Sequence, residues 1–341
     1  MQKTNNFLSF FFLSLSKTLI NLMSLFDVMK SKVTEFDESD LKPKFVERFK
    51  SFCPDFDAFV KFSFTFLNRS IRVNTIKISV ADLKKRLEVK GWTLTQIPWC
   101  KEGFWIKSER RDIGNLVEHT LGYIYVQEAA SMIPPVVLDP KPGEKVLDMC
   151  ASPGSKASQI AQYMENKGIL IANDFKGDRI KPLGINFQRM GISNSIITLM
   201  TGQRFRGLEF DRILVDAPCS GTGTIRKSLK TITIWNPTMI TRLSSTQKQL
   251  VDTAWSVLKK GGTLVYSTCS LEPEEDEEVV DYLLKQHSDA RIEDIVLDIK
   301  RSPAIVEFEK KKYSDEVKKC LRLWPQDNDT EGFFVAKIKK V

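Results

Sequence analysis

The stretch Lys145-Val146-Leu147-Asp148-Met149-Cys150-Ala151-Ser152-Pro153-Gly154-Ser155-Lys156 reads as a short apolar strand, a turn of small residues, and the start of a helix. Small residues and a glycine after a first strand let the backbone approach a ligand closely. The turn is neither G-x-G-x-x-G nor a P-loop, so it does not specify a phosphate-bearing nucleotide. Cys150, Ala151, Ser152, Pro153, Gly154, Ser155 and Lys156 are therefore candidates for holding some other cofactor.

Outward from this turn the chain alternates strand and helix. Helix is expected over 156–164, strand over 168–174, helix over 179–190 and strand over 195–199. Strand over 211–216, helix over 241–258, strand over 262–267 and helix over 274–286 follow, with a last strand over 332–338. This rhythm predicts an α/β, doubly wound, mostly parallel sheet. Ligands of such sheets bind at the carboxyl edge of the strands. Asp174 ends the second strand, where a carboxylate suits a ribose, and Arg179 at the head of the next helix joins the candidate cofactor set.

Two strands end in cysteine. Ile213 to Gly223 contains Asp216-Ala217-Pro218-Cys219, and Val265 to Glu275 contains Ser267-Thr268-Cys269. If these strands are neighbours, Cys219, Cys269 and Asp216 open into one crevice. A single cysteine at a strand end is commonly a buried, inert thiol. Two at matching ends beside an aspartate point to chemistry.

Turn-rich Asp139-Pro140-Lys141-Pro142-Gly143 marks an expected boundary, with an extension at 1–40, a smaller α+β domain over 41–138 and the α/β domain over 139–341. In the smaller domain, apolar residues recur at helical spacing from Asp40 to Phe66, and Ile71 to Ile78 alternates like a strand. Ser79 caps a helix over 80–90, and short strands are expected at 92–95 and 103–106. Arg72, Trp92, Trp99 and Trp105 are candidates for an RNA-facing surface, against the alternative that the aromatics are core. Phe7 to Phe26 is interrupted by Lys17 and Asn21, too broken for a membrane span, and reads as an amphipathic helix or an extension.

The 341 residues carry 51 Lys+Arg against 43 Asp+Glu, a net charge of +8, which suits a polyanionic partner. Six widely spaced cysteines without a C-x-x-C pair, and only two histidines, predict neither a zinc site nor a disulfide framework. A reducing, cytoplasmic setting is expected.

Asp148-x-Cys150-Ala151-x-Pro153-Gly154-x-Lys156, Asp216 to Gly223, Tyr266 to Ser270 and Gly332 to Lys337 resemble the motifs of the Nop/Sun family of RNA 5-methylcytosine methyltransferases, in its archaeal tRNA-modifying form. Arg72-Val73-Asn74-Thr75 and Val126 to Ser131 extend the resemblance over most of the chain. It implies a seven-stranded, Rossmann-like S-adenosylmethionine methyltransferase sheet and an RRM-like N-terminal domain. It implies S-adenosylmethionine as cofactor, Cys269 as nucleophile and Cys219 as the residue that assists release. The chain departs from the family at Ser155, at Thr201-Gly202 after the third strand, and near Trp324-Pro325, where Asp327 and Asn328 replace a histidine.

The expected reaction is thiolate addition to carbon 6 of cytosine, with a protonated Asp216 donating to ring nitrogen 3. Lys156 is expected either to favour the thiolate or to hold the cofactor loop. Transfer RNA is the preferred substrate, ribosomal RNA the alternative, and a monomer off the membrane the expected state. A non-catalytic RNA-binding role and a DNA cytosine methyltransferase are the competing readings. The intact Asp216, Cys219 and Cys269 oppose the first, and Thr268-Cys269 opposes the second, whose family places the nucleophile after proline.

Overall fold

In the computed structural model, residues 41–109 and 112–341 are described, and the expectation for Phe7 to Phe26 lies outside them. The chain divides into two compact units, one ending at Thr65 and one running Phe66–Val341. In the first unit, α1 (Pro43–Lys50) and α2 (Phe56–Ser63) replace the single helical run expected from Asp40 to Phe66. Pro54 lies in the break between them, and Asp55 caps α2 by accepting from the Ala58 amide at 2.9 Å. The Phe45, Phe49 and Phe59 rings stack, with neighbouring centroids 4.1 and 5.3 Å apart.

The second unit holds a small and a large sheet. The small one comprises β1 (Ser70–Val73), β2 (Thr93–Gln96), β3 (Gly103–Lys107) and β4 (Ile124–Val126), all antiparallel in the order β2-β3-β1-β4, with α3 (Val80–Val89) following β1. This is the strand order of an RRM-like core. The strand expected over 71–78 stops at Val73. Asn74 accepts from the Ile76 amide through its side chain and donates to Gly122 O and Met190 O, so a side-chain turn ends the ladder.

The candidate RNA-facing side chains lie largely inside, and the aromatics follow the core alternative. Arg72, Trp92 and Trp99 are buried, and Trp105 is half-buried with its ring edge-on to Trp99. The aromatics are core because each covers apolar neighbours, and Arg72 is buried because it has acceptors there.

After α4 (Ile133–Leu138) the large sheet begins. Its strands are β5 (Lys145–Asp148), β6 (Ile169–Asp174), β7 (Ser195–Leu199), β8 (Phe210–Asp216), β9 (Leu258–Thr268), β10 (Ala290–Glu293), β13 (Leu321–Leu323) and β14 (Phe333–Lys340). Between β10 and β13 lies a two-residue hairpin, β11 (Glu307–Phe308) with β12 (Lys311–Lys312). Seven strands run in the order β10-β14-β9-β8-β5-β6-β7, and short β13 pairs β14 beside this path. The central strands are parallel, and β14 returns antiparallel to β9. Helices α5 (Ser155–Tyr163), α6 (Gly177–Met190), α7 (Pro237–Ser256) and α8 (Glu277–Gln286) connect them. Val146, Leu170, Leu214, Val265 and Val335 form one continuous core. The parallel register puts Asp148, Asp174, Asp216 and Thr268 at one edge.

Candidate active site

At that edge a cavity of about 480 Å³ is lined by the turn after β5, by Lys156, Arg179 and Asp216, and by Cys269, with Tyr125 and Phe333 as aromatic walls. Gly154 stands at the turn's hinge with φ +102°, a conformation L side chains rarely adopt, and a Cβ there would lie 2.9 Å from Leu183 Cδ1. Asp174 and Cys219 sit behind the lining. A larger cavity of about 630 Å³, walled by Trp99, Pro140 and Gln162, contains none of the expected site residues.

The expected cysteines meet. Cys219 Sγ and Cys269 Sγ lie 3.2 Å apart, because β8 and β9 are parallel neighbours in register from Arg212↔Thr263 to Asp216↔Ser267. Close backbone approach locks the loops: Gly223 donates to Cys269 O at 2.9 Å, and Gly332 donates to Gly223 O at 2.9 Å. A Cβ on Gly223 would sit 2.2 Å from Gly332 O, so only glycine fits.

Lys156 turns inward to the chemistry. Its Nζ donates to Asp216 Oδ2 at 2.8 Å and lies 5.2 Å above the Phe333 ring. Burial pulls its ammonium down, but the charge and hydrogen bond of Asp216 outweigh this, with Cys269 and Asp148 adding to the net rise. Asp216 Oδ1 accepts from Ser267 Oγ at 2.8 Å. Both Asp216 oxygens thus accept, and Lys156 is the donor of the pair that faces the cavity.

The cofactor side has matching features. Asp148 is buried, with Oδ1 accepting from the Cys150 amide at 3.3 Å and Oδ2 lacking a hydrogen-bond partner. Burial, then the charge of Asp216, pushes its carboxyl up to about 7. Asp174 accepts from the Lys176 amide at 3.1 Å, and its buried Oδ2 also lacks a hydrogen-bond partner. Arg179 stands 3.5 Å from that oxygen and donates to Ser152 O at 2.6 Å, while Ser152 Oγ donates to Arg179 O at 2.7 Å. Orphaned carboxylate oxygens beside a glycine cradle fit a ligand that brings an ammonium and ribose hydroxyls.

Sequence reading missed three features. Buried Arg72 donates to Ser155 O at 3.1 Å and Ser158 Oγ at 2.8 Å, bracing the first turn of α5. Glu128 and Glu331 line the cavity, and burial, then the charge of Glu331, pushes Glu128 up to about 8. Buried Glu275 sits behind the cysteines, at the acidic start of the helix expected over 274–286. Of the three departures, Ser155 lines the cavity with Cys269, and Thr201-Gly202 and Asp327 do not. Ser155 opens α5, Gly202 begins a short 3₁₀ turn, and Asp327 accepts from the Trp324 amide at 2.9 Å as a local cap.

Residues 135–339 match the family model described as 16S rRNA methyltransferase RsmB/F. The chain belongs to the RsmB/F (Nop/Sun) family of RNA cytosine-5 methyltransferases. Like its family, it is an RNA cytosine-5 methyltransferase, with S-adenosylmethionine as methyl donor. Residues 41–129 match the model for the N-terminal domain of 16S rRNA methyltransferase RsmF. A relative from Pyrococcus abyssi, named tRNA (cytosine(49)-C(5))-methyltransferase, is 49% identical over 303 residues, covering 88% of this chain and 96% of that protein. The ribosomal RNA small subunit methyltransferase F of a Shewanella species is 44% identical over 80% of this chain, which spans 57% of that relative. A solved methyltransferase homologue from Pyrococcus horikoshii superposes with TM-score 0.76 at 38% identity, covering 88% of this chain and all of that one. The doubly wound sheet, the RRM-like strand order and the family expected from the sequence thus hold in this member of the RsmB/F family.

Proposed function

We propose that the protein methylates carbon 5 of a cytosine in transfer RNA through a covalent bond between Cys269 and carbon 6. The observation that carries this is the Cys219–Cys269 pair, 3.2 Å apart, whose Cys269 lines the cavity that the Lys156–Asp216 ion pair also enters. Transfer RNA is favoured because the tRNA enzyme is 49% identical over 88% of this chain, against 44% over 80% for the ribosomal RNA enzyme.

Cys269 thiolate adds to carbon 6, and Lys156, held by Asp216, gives its proton to ring nitrogen 3. This leaves an electron-rich carbon 5. When bound, S-adenosylmethionine supplies an electrophilic methyl group. Cys219 then takes the carbon-5 proton, the carbon 6–sulfur bond breaks back to the Cys269 thiolate, and nitrogen 3 returns its proton to Lys156.

The residues that hold the cofactor are Cys150 to Lys156, Asp174, Arg179 and Asp216, with Asp148 as an addition from the structure. Functionally, 41–138 serves RNA binding and 139–341 catalysis. The protein works as a cytoplasmic monomer. Among the described residues no helix is long and apolar enough to cross a membrane.

The test is labelled-methyl transfer to total RNA, fractionated afterwards, with wild type, Cys269→Ala and Cys219→Ala. Wild type labels transfer RNA, Cys269→Ala labels nothing, and Cys219→Ala accumulates a covalent RNA adduct. Label only in ribosomal RNA would replace the substrate. Full activity of Cys269→Ala would overturn the mechanism.

A further inference from the structure

The two thiols stand on different loops, and one buried carboxylate ties those loops together. Ser220, next to Cys219, donates its amide to Glu275 Oε1 at 3.0 Å and its hydroxyl to Oε2. Ser270, next to Cys269, donates its hydroxyl to the same Oε2 at 2.6 Å. Gln247 Nε2 from α7 donates to Glu275 Oε1 at 3.0 Å and to Pro218 O at 2.9 Å. The Tyr266 hydroxyl donates to Glu275 O. Glu275 has no exposed surface and reaches neither cavity nor cofactor turn, so the methyl-transfer chemistry itself does not use it.

The Cys219 thiol is pushed well up by its hydrogen bond with Cys269, then by burial, then by the charges of Cys269, Glu275 and Asp216. Lys156, by contrast, interacts with the charge of Cys269. The other titratable groups facing the pair are Tyr266 from β9 and, across the cavity, Asp148, Lys227 and Glu331.

We propose that Glu275 is a positioning residue that fixes the spacing of the two sulfurs and holds the Cys219 S–H toward Cys269 Sγ. The proposal rests on the covalent reading above and supplies its order of events. Before attack, the Cys219 S–H donates to the Cys269 thiolate. Formation of the sulfur–carbon 6 bond turns that thiolate into a thioether and removes the acceptor. The Cys219 proton then leaves to bulk water, and the resulting thiolate accepts the carbon-5 proton after methyl transfer. Loss of Cys269 from carbon 6 as thiolate restores the starting pair. The base is thus withheld until the adduct exists.

The experiment is iodoacetamide labelling of the RNA-free protein from about pH 6 to about pH 10, read at each cysteine by mass spectrometry. The proteins are wild type, Glu275→Gln and Ser270→Ala, each checked by circular dichroism. Wild type labels Cys269, which lines the cavity, faster than Cys219. In Glu275→Gln the rate ratio between the sites falls about tenfold or more as the two loops lose their common tie. Ser270→Ala moves it the same way by less, and decides the matter should Glu275→Gln not fold. Wild-type profiles at both sites in the folded variants overturn the proposal. A second arm follows the covalent RNA adduct, which persists longer in Glu275→Gln than in wild type. Altered labelling with no adduct or methylation in any protein would remove the covalent reading and leave the Glu275 clamp standing.

Discussion

Lys156 Nζ donates to Asp216 Oδ2 at 2.8 Å across 60 residues of sequence, joining the cofactor turn to the strand that carries Cys219. In the proposed mechanism a residue of the turn after β5 thereby joins the reacting centre. Lys156→Met keeps much of the side-chain bulk and removes the proton. Loss of one such preorganised donor is expected to lower single-turnover methyl transfer by about 10²–10³-fold. RNA affinity, measured by filter binding, is expected to stay near wild type. A rate close to wild type would take Lys156 out of the proton path.

Asp148 gives the cofactor site a pH dependence. Its carboxyl, pushed up to about 7 by burial and by Asp216, is neutral below that pH and ionised above it. A cationic ligand binds the ionised form better, so S-adenosylmethionine affinity is expected to rise as pH increases through about 7, by up to about tenfold per unit below the midpoint. Binding releases a proton in the same range. Calorimetry in buffers of different ionisation enthalpy measures both effects, and Asp148→Asn is expected to flatten the profile.

Arg322 is the main counter-charge of the acidic loop behind the thiols. It donates to Glu277 at 2.8 and 2.5 Å, to Asp276 Oδ2 at 3.1 Å and to Leu271 O at 2.9 Å, all buried. Arg322→Met strands two buried carboxylates and is expected to cost about 3–5 kcal/mol in urea unfolding. Arg322→Lys is expected to recover only part of this, because one ammonium cannot reproduce the forked geometry.

Gly223→Ala tests the backbone lock between the loops. Its Cβ would meet Gly332 O at 2.2 Å and Cys269 O at 2.8 Å, so backbone must move. About 1–3 kcal/mol of destabilisation is expected by denaturant titration, as for overpacked sites. Activity is expected to fall further than stability, since the shift separates Cys219 from Cys269.

Local pattern was enough for the parts of this protein that repeat a local rule. Strand–turn–helix alternation after residue 143 gave the parallel sheet, because such strands need long crossovers and meet at one edge. The β7 bounds, 195–199, agree with the alternation to the residue. Cysteine at the ends of two successive apolar runs likewise placed Cys219 beside Cys269 once those strands were neighbours.

Burial and long-range pairing were decided only in three dimensions. Arg72, Trp92 and Trp99 looked like a surface and became interior, since a short strand's pattern does not tell which faces are covered. Asn74 ended its strand through partners 48 and 116 residues away. Glu275 was one acid of an expected helix and became the tie between two loops about 50 residues apart. Asp216 gained Lys156 as its donor because the fold brought a residue 60 positions upstream to it. The sequence by itself determined which groups stand at the sheet's edge; which of them hold a proton, and which hold the others in place, follows from contacts that only the folded chain creates.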